Sequence, residues 1–373
     1  MGKKTEFLFL NEEECIKAGV LDYARCIDVE EEIFGLLSVG DYRMGGDKWN
    51  SHGLAVKFPK ESPFPNMPVD GPDRRFLAMP GYLGGRFNIA GLKWYGSNII
   101  NPTRGLPRSI LTMMLNDPDT AEPIALMSAN LISAVRTGCV PGVGVRYLAR
   151  KDSEVCVNIG AGPVSKACFE AIRCEAKNLK EVVVYDIVKE KAEAWCDEIT
   201  KKYGYKAWAA DSLEEAVRAG DIISVAASSV KPVNIVNDWL KKGSTIIFTG
   251  RCNIDEAYYL DCKMYWDNTK LHEVYYDEHL QLPEAERFIN GIGVQIYRMM
   301  FEGKLPGLND QISLGDVVVG KAKGRENDDE RILFVTSGMP VWDLGWSYEI
   351  YQTAKKMGLG TTLKLWDSAY QCQ

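Results

Sequence analysis

The chain has 373 residues, a length whose prior at roughly 150 residues per domain is two domains. With 46% apolar and 25% charged residues it has the composition of a globular protein with a large core, which excludes disorder as its main state. Lys and Arg number 44 against 51 Asp and Glu, a net charge of −7, so the basic excess of a nucleic-acid-binding protein is missing.

The first ten residues, Met-Gly-Lys-Lys-Thr-Glu-Phe-Leu-Phe-Leu, give way to Glu12, Glu13 and Glu14 without the apolar stretch of a signal peptide. Gly2 is not followed by the Ser or Thr of a myristoylation site. No window nears the roughly 18 apolar residues of a spanning helix. A protein of the cytoplasm, without membrane contact, is expected. A helical stretch is predicted near 12–37, followed by a Gly/Pro/Asn-rich section over 40–88. Within it, Phe58–Pro72 reads as an ordered loop or lid. Short β-like pieces follow at Asn88–Tyr95 and Ile110–Asn116, and the mixture predicts an α+β domain with antiparallel strands.

The middle of the chain is different. Glu154–Gly160 is a short apolar run, as a buried parallel strand should be. A helix with Ala167, Ala171 and Ile172 on one face follows, then a strand at Glu181–Asp186, a charged helix over 188–203 and a short strand near Ala207–Ala210. Ser212 caps the next helix, with Glu215 three residues on to complete a capping box. Asp221–Ala227, Ser244–Gly250 and Lys263–Asp267 are further strands. Strands alternating with helices in this way predict a doubly wound parallel sheet. The tail, Val341 to Gly360, is helical again.

The ten cysteines include no C-x-x-C pair, and several sit in apolar runs such as Val155-Cys156-Val157. Buried, reduced thiols in a reducing compartment are expected. Three histidines, His52, His272 and His279, offer no metal-ligand spacing, so no metal is expected.

Gly160-Ala161-Gly162-Pro163-Val164 lies between a predicted strand and a predicted helix. Gly160 permits the tight turn, Gly162 puts no side chain between backbone and a pyrophosphate, and the helix N-terminus attracts the anion. Ser165 takes the third glycine position, small enough for close helix–strand packing. Asp186 ends the next strand, where a carboxylate accepts ribose hydroxyls and repels a 2′-phosphate. No Arg follows it directly, so NAD is favoured over NADP.

The chain resembles the ornithine cyclodeaminase/mu-crystallin family. The likeness is carried by Gly91-Leu92-Lys93 with Asn101 and Gly105-Leu106-Pro107, by Ser133-Ala134-Val135-Arg136-Thr137-Gly138, by Tyr147-Leu148-Ala149-Arg150 and by Ile159–Gly162. Gly320-Lys321, Gly324-Arg325, Phe334, Ser337-Gly338, Asp343 and Gly358-Leu359-Gly360 continue it in collinear order. The resemblance implies a Rossmann-type NAD-binding domain over 131–324. It also implies a substrate and dimerisation domain over 1–130, completed by 325–373, whose sheet pairs with that of a second copy in a homodimer. It implies NAD-linked chemistry at an amine-bearing carbon of a small amino acid, amine or imine.

By the same resemblance Lys93 and Arg136 hold the substrate carboxylate, with Arg43 the upstream arginine that shares the task, and Lys93 is the proton donor. Thr137 matches a position at the cofactor phosphates, and Ala226-Ala227-Ser228-Ser229 lines the cofactor. On their own, a Lys in a strand and an Arg in a helix are ordinarily solvated or surface-paired. Their matching motifs make them candidates. His52 is read as a surface residue, and Trp94, Tyr95, Trp342 and Trp346 as core. One departure matters: where cyclodeaminases carry an aspartate after the fifth strand, this chain has Arg251, a group that cannot accept a proton. Asp255 is the alternative acid. Arg251 favours instead an amino-acid dehydrogenase or imine reductase acting on an acidic or N-carboxyalkyl amino acid. A cyclodeaminase-type lyase using NAD catalytically, a mu-crystallin-like binding protein and an accessory subunit of an amine-oxidising system are the other readings.

Overall fold

Two sheets of different construction organise the chain. A computed structural model describes residues 3–228 and 231–370; Gly2, Ser229 and Cys372, read above from the sequence, lie outside them. The described residues form two compact units, one of residues 3–22, 39–136 and 338–370, the other of residues 23–38 and 137–337 without 229 and 230.

The first unit is an α+β layer. Its eight-stranded sheet runs Thr361–Trp366, Thr5–Leu10, Pro123–Ser128, Ser109–Asn116, Ile89–Ser97, Arg75–Leu83 and Tyr42–Met44, with Leu54–Lys57 also on Arg75–Leu83. All pairings are antiparallel except that of Thr5–Leu10 with Pro123–Ser128. Successive side chains point to opposite faces of a strand, so Lys93 is buried on one face while Trp94 is exposed on the other. Helix Pro340–Met357 packs on the buried face. Gly91 permits the approach, because a Cβ there would lie 2.7 Å from Leu344 Cδ2 and 2.3 Å from the Met114 carbonyl oxygen.

The N-terminal stretch differs from the helix predicted near 12–37. Thr5–Leu10 is a strand, Glu12–Lys17 a short helix with an Asn11/Glu14 capping box, and Tyr23–Val39 a separate helix. Residues 58–72 form an irregular segment, as expected. Phe58 meets Phe76 edge-on, and Phe76 stacks on Trp94 at 5.7 Å. This is the face opposite Lys93, so the segment is not a lid over that lysine.

The second unit carries the doubly wound sheet. Its order is Lys206–Ala209, Glu181–Tyr185, Val155–Ile159, Ile222–Val225, Thr245–Phe248, Ile332–Val335, Lys263–Trp266 and Ile312–Ser313, parallel throughout. The chain winds outward from Val155–Ile159 on one side, then crosses to Ile222–Val225 on the other. The crevice at that reversal is where such sheets bind ligands. Strand residues Val157, Ile223, Ile246 and Leu333 are fully buried, which explains their unbroken apolar runs. The predicted boundaries fall at 130/131 and 324/325. In the structure the chain returns to the first unit at Gly338, because Ile332–Val335 is a central strand of the parallel sheet.

The nine described cysteines are free thiols, and burial pushes Cys156 and Cys168 up to about 12. No helix of the described residues is long and apolar enough to cross a membrane.

Candidate active site

In the second unit, strand Val155–Ile159 ends at Gly160, whose φ is +100°; a Cβ there would lie 2.9 Å from Ala227 Cα. Only glycine fits this turn. Gly162 is the N-cap of helix Pro163–Glu175 and, lacking a side chain, caps none of its N–H groups. A Cβ at 162 would meet nothing within 4 Å, so open space lies before the helix N-terminus. Pro163 at the first helical position has no N–H to lose. Uncapped amides facing open space fit a pyrophosphate.

A cleft of about 510 Å³ runs from here past Asp186, Ala227 and Ser228. Asp186 accepts hydrogen bonds from Ala161 N–H at 2.8 Å and Val188 N–H at 2.9 Å, which fixes its carboxylate at the mouth of the glycine turn. No arginine lines the cleft, although Lys191 and Lys231 do. Of the remaining expected contacts, Pro163 lines the cleft. Val164 is exposed in the first helical turn, and Thr137 is half-buried outside the lining. Gly138 lets helix Asn130–Leu148 press on helix Pro163–Glu175, since a Cβ there would lie 2.3 Å from the Ala167 carbonyl oxygen.

In the first unit, Lys93 and Arg136 converge on one carboxylate. Lys93 Nζ donates to Asp343 Oδ2 at 2.8 Å and to Ser133 Oγ at 3.2 Å, and Arg136 Nε donates to Asp343 Oδ1 at 3.0 Å. All three charged side chains are buried, so burial alone would favour their neutral forms. Burial pushes Lys93 down to about 8, against the pull of Asp343. For Asp343 burial works upward, but Arg136 and Lys93 together overcome it and hold the carboxyl below its usual range. Two cations face one anion, leaving a surplus positive charge. The terminal nitrogens of Arg136 make no hydrogen bond among the described residues.

His52 belongs to this cluster and is not at the surface. It is half-buried, its ring Nδ1 meets the Gly338 carbonyl, and the charges of Lys93, Arg136 and Asp343 act on it. Asp343 and His52 are the residues whose parts the sequence reading missed. Asp343 stands among the residues that carry the resemblance, but nothing there gave it a part, and its local signal is a lone acid in the first turn of the last helix.

Arg43 is not brought to the cluster. It is exposed on edge strand Tyr42–Met44, donates to the Gly40 and Tyr42 carbonyls and lies over the Trp49 ring. Arg251, in the second unit, follows Gly250, which presses on the Ala227 carbonyl; its guanidinium donates to Asn290 Oδ1 at 3.0 Å. Asp255 accepts from Asn237 N–H at 2.7 Å and is exposed, a local structural part. Trp342 and Trp346 are core, whereas Trp94 is exposed.

The model of the ornithine cyclodeaminase/mu-crystallin family matches residues 20–358. The chain is 31% identical over 294 residues to the N-((2S)-2-amino-2-carboxyethyl)-L-glutamate dehydrogenase of Staphylococcus aureus, covering 78% of this chain and 82% of that protein. Among solved structures, the Thermococcus litoralis Delta(1)-pyrroline-2-carboxylate reductase in complex with NADH and L-proline superposes with a TM-score of 0.77 at 27% identity. It covers 95% of this chain and 99% of that one. An archaeal alanine dehydrogenase dimer with bound NAD gives a TM-score of 0.78 at 27% identity, covering 97% of this chain and 100% of that one. With nearly its whole length matched and a Rossmann-type nucleotide crevice in its second unit, the chain belongs to the ornithine cyclodeaminase/mu-crystallin family.

Proposed function

We propose that this chain is an NAD(H)-dependent oxidoreductase acting on the C–N bond of an amino acid, amine or imine. The observation that carries this reading is the Lys93–Asp343–Arg136 cluster, a buried site with one positive charge to spare. A substrate carboxylate neutralises that surplus. Asp343 holds both cations in place, and the terminal nitrogens of Arg136 match the two oxygens of a planar carboxylate. NAD(H), when bound, supplies or accepts the hydride. Reduction of an imine also takes up one proton, and Lys93, shifted to about 8, is matched to give it near neutral pH.

In this reading the first unit is the substrate and dimerisation domain, and the second the nucleotide domain. Gly160, Ala161, Gly162 and Pro163 take the pyrophosphate and Asp186 the ribose. Relatives that reduce pyrroline-2-carboxylate or oxidise alanine by their names support the reaction class. The exposed apolar side chains Val56, Phe76, Trp94 and Ile110 on one face of the first sheet support a homodimer, as named for the archaeal neighbour. Free buried thiols support a reducing compartment such as the cytoplasm.

Arg251 favours a particular substrate class, an amino acid with an additional acidic group or an N-carboxyalkyl amino acid. The Staphylococcus aureus relative is named for a substrate of that kind. The test is NADH consumption with pyrroline-2-carboxylate, and with pyruvate or 2-oxoglutarate plus ammonia or an amino acid as the amine. Turnover lost in Lys93→Met supports the proposal. Ornithine converted to proline and ammonia without net NADH change identifies a lyase, and tight NAD binding without any turnover identifies a binding protein or accessory subunit.

A further inference from the structure

Lys93, Tyr95 and Ser97 point to one face of the first sheet, because side chains alternate along a strand, and Arg75 stands opposite Ser97 on the neighbouring strand. Tyr95 is half-buried on this face, two residues beyond Lys93 of the Lys93–Asp343–Arg136 cluster. Two cations flank its ring. Lys93 Nζ lies 5.9 Å from the ring centroid and Arg75 Cζ 6.0 Å from it, so the two charges stand at most about 12 Å apart.

The far end of this face repeats the charge arrangement of the near end. Asp73 Oδ2 accepts from Arg108 Nε at 2.8 Å, and Asp73 Oδ1 lies 3.4 Å from Arg75 Nη2. Two cations again share one carboxylate, with one positive charge in surplus. The backbone holds Asp73 in place, at a φ of +54° and with its carbonyl accepting from Ser97 Oγ at 2.8 Å. Arg75 is the looser cation. Its other contact, from Nη2 to the Tyr95 hydroxyl, is 3.3 Å, so both are long for hydrogen bonds, and its side chain is 44% exposed. A guanidinium has five N–H donors, and a tyrosine hydroxyl that accepts one bond keeps its own hydrogen to donate.

We infer that Arg75, with the Tyr95 hydroxyl, receives a second carboxylate of the substrate while Lys93 and Arg136 hold the first. This assignment rests on the amino-acid reading above and gives it a substrate class. A charge-assisted hydrogen bond sets a carboxylate oxygen about 2.8 Å from its donor nitrogen, so the acid oxygens that bridge the two cations lie within about 6 Å of each other. That is the span of an amino or imino acid built on a four- or five-carbon diacid. A substrate with one carboxylate leaves the surplus charge at Arg75 unanswered, which makes Arg75 the residue that selects for the second acid.

The test is calorimetric titration of the NADH-saturated protein with two matched pairs, L-glutamate with L-glutamine and L-aspartate with L-asparagine. The members of each pair differ in one charge and little in size. The wild type is expected to bind the acid of at least one pair about five- to tenfold tighter than its amide, the worth of a charge-assisted hydrogen bond in a partly exposed position. Arg75→Gln is expected to abolish that preference, Arg75→Lys to keep part of it and Tyr95→Phe to reduce it. A wild type that binds acid and amide alike, or that binds only L-alanine or L-proline, overturns the assignment and leaves the amino-acid reading standing. So does a preference that survives in Arg75→Gln; its loss in Arg251→Gln would move the second acid to that residue. Failure of the wild type to bind any of these six amino acids overturns the amino-acid reading itself, and this inference with it.

Discussion

Asp343 Oδ2 and Lys93 Nζ lie 2.8 Å apart with their side chains 0% and 3% exposed, and Arg136 takes the other carboxylate oxygen. Removing one partner of a buried ion pair leaves the rest charged, desolvated and unpaired. Asp343→Asn strands two cations and is expected to cost about 3–5 kcal/mol. Chemical denaturation of the variant measures the loss. The wild-type cluster lacks one negative charge and Asp343→Asn lacks two, so added propionate should stabilise both proteins and the variant more. No response in either would sink the account of a charge-deficient cluster.

The same cluster sets a pH dependence. Lys93 is protonated below about 8 and loses its charge as pH rises through that value, while Arg136 stays charged throughout. Carboxylate binding and proton donation both need the charged form. In the reductive direction, kcat/KM is therefore expected to fall as pH rises through about 8. Lys93→Arg cannot titrate there, so its residual activity should lack this alkaline limb. An alkaline limb of the same midpoint in Lys93→Arg would assign it to another group.

How much of this was legible in the chain follows from how local each signal is. The parallel strands and the Gly160 turn are read from stretches of five to ten residues, because burial on both faces and a positive φ each leave a mark at one place. Lys93 and Arg136 are polar residues in ordinary elements and gained meaning only from surrounding motifs. Asp343 is hidden for a stronger reason: its partners are 250 and 207 residues away, and no local pattern records a pairing across such a distance. The strand Thr361–Trp366 was missed because all its residues are exposed, so no inward–outward alternation marks it. Arg43 misled for the opposite reason: a basic residue in the expected region, it lies on an edge strand and satisfies itself on local carbonyls.

Nucleotide choice depends on Asp186. Its carboxylate accepts from Ala161 and Val188 N–H groups and keeps lone pairs for ribose hydroxyls. A 2′-phosphate would bring a second negative group against it. Asp186→Ser is expected to weaken NADH by about 1.5–3 kcal/mol, roughly ten- to a hundredfold. NADPH should improve in the same variant, with Lys191 and Lys231 among the cleft residues to meet the phosphate. Fluorescence titration with both nucleotides checks it; a variant that loses both equally would place Asp186 in loop structure alone.

Gly138 offers a test of the packing beneath the glycine turn. It sits two residues after Arg136 on helix Asn130–Leu148, and a Cβ would fall 2.3 Å from the Ala167 carbonyl oxygen and 2.8 Å from the Cys168 nitrogen. Both contacts are backbone atoms of helix Pro163–Glu175, so no side-chain rotation relieves them and the helices must separate. Overpacking of this kind costs about 1–3 kcal/mol. Gly138→Ala should therefore lower the unfolding midpoint despite the better helix propensity of alanine. Because the displaced helix is the one that opens at Gly162, NADH binding should weaken in the same variant. A Gly138→Ala protein as stable as the wild type, with unchanged NADH affinity, would show that this contact does not hold the nucleotide turn in place.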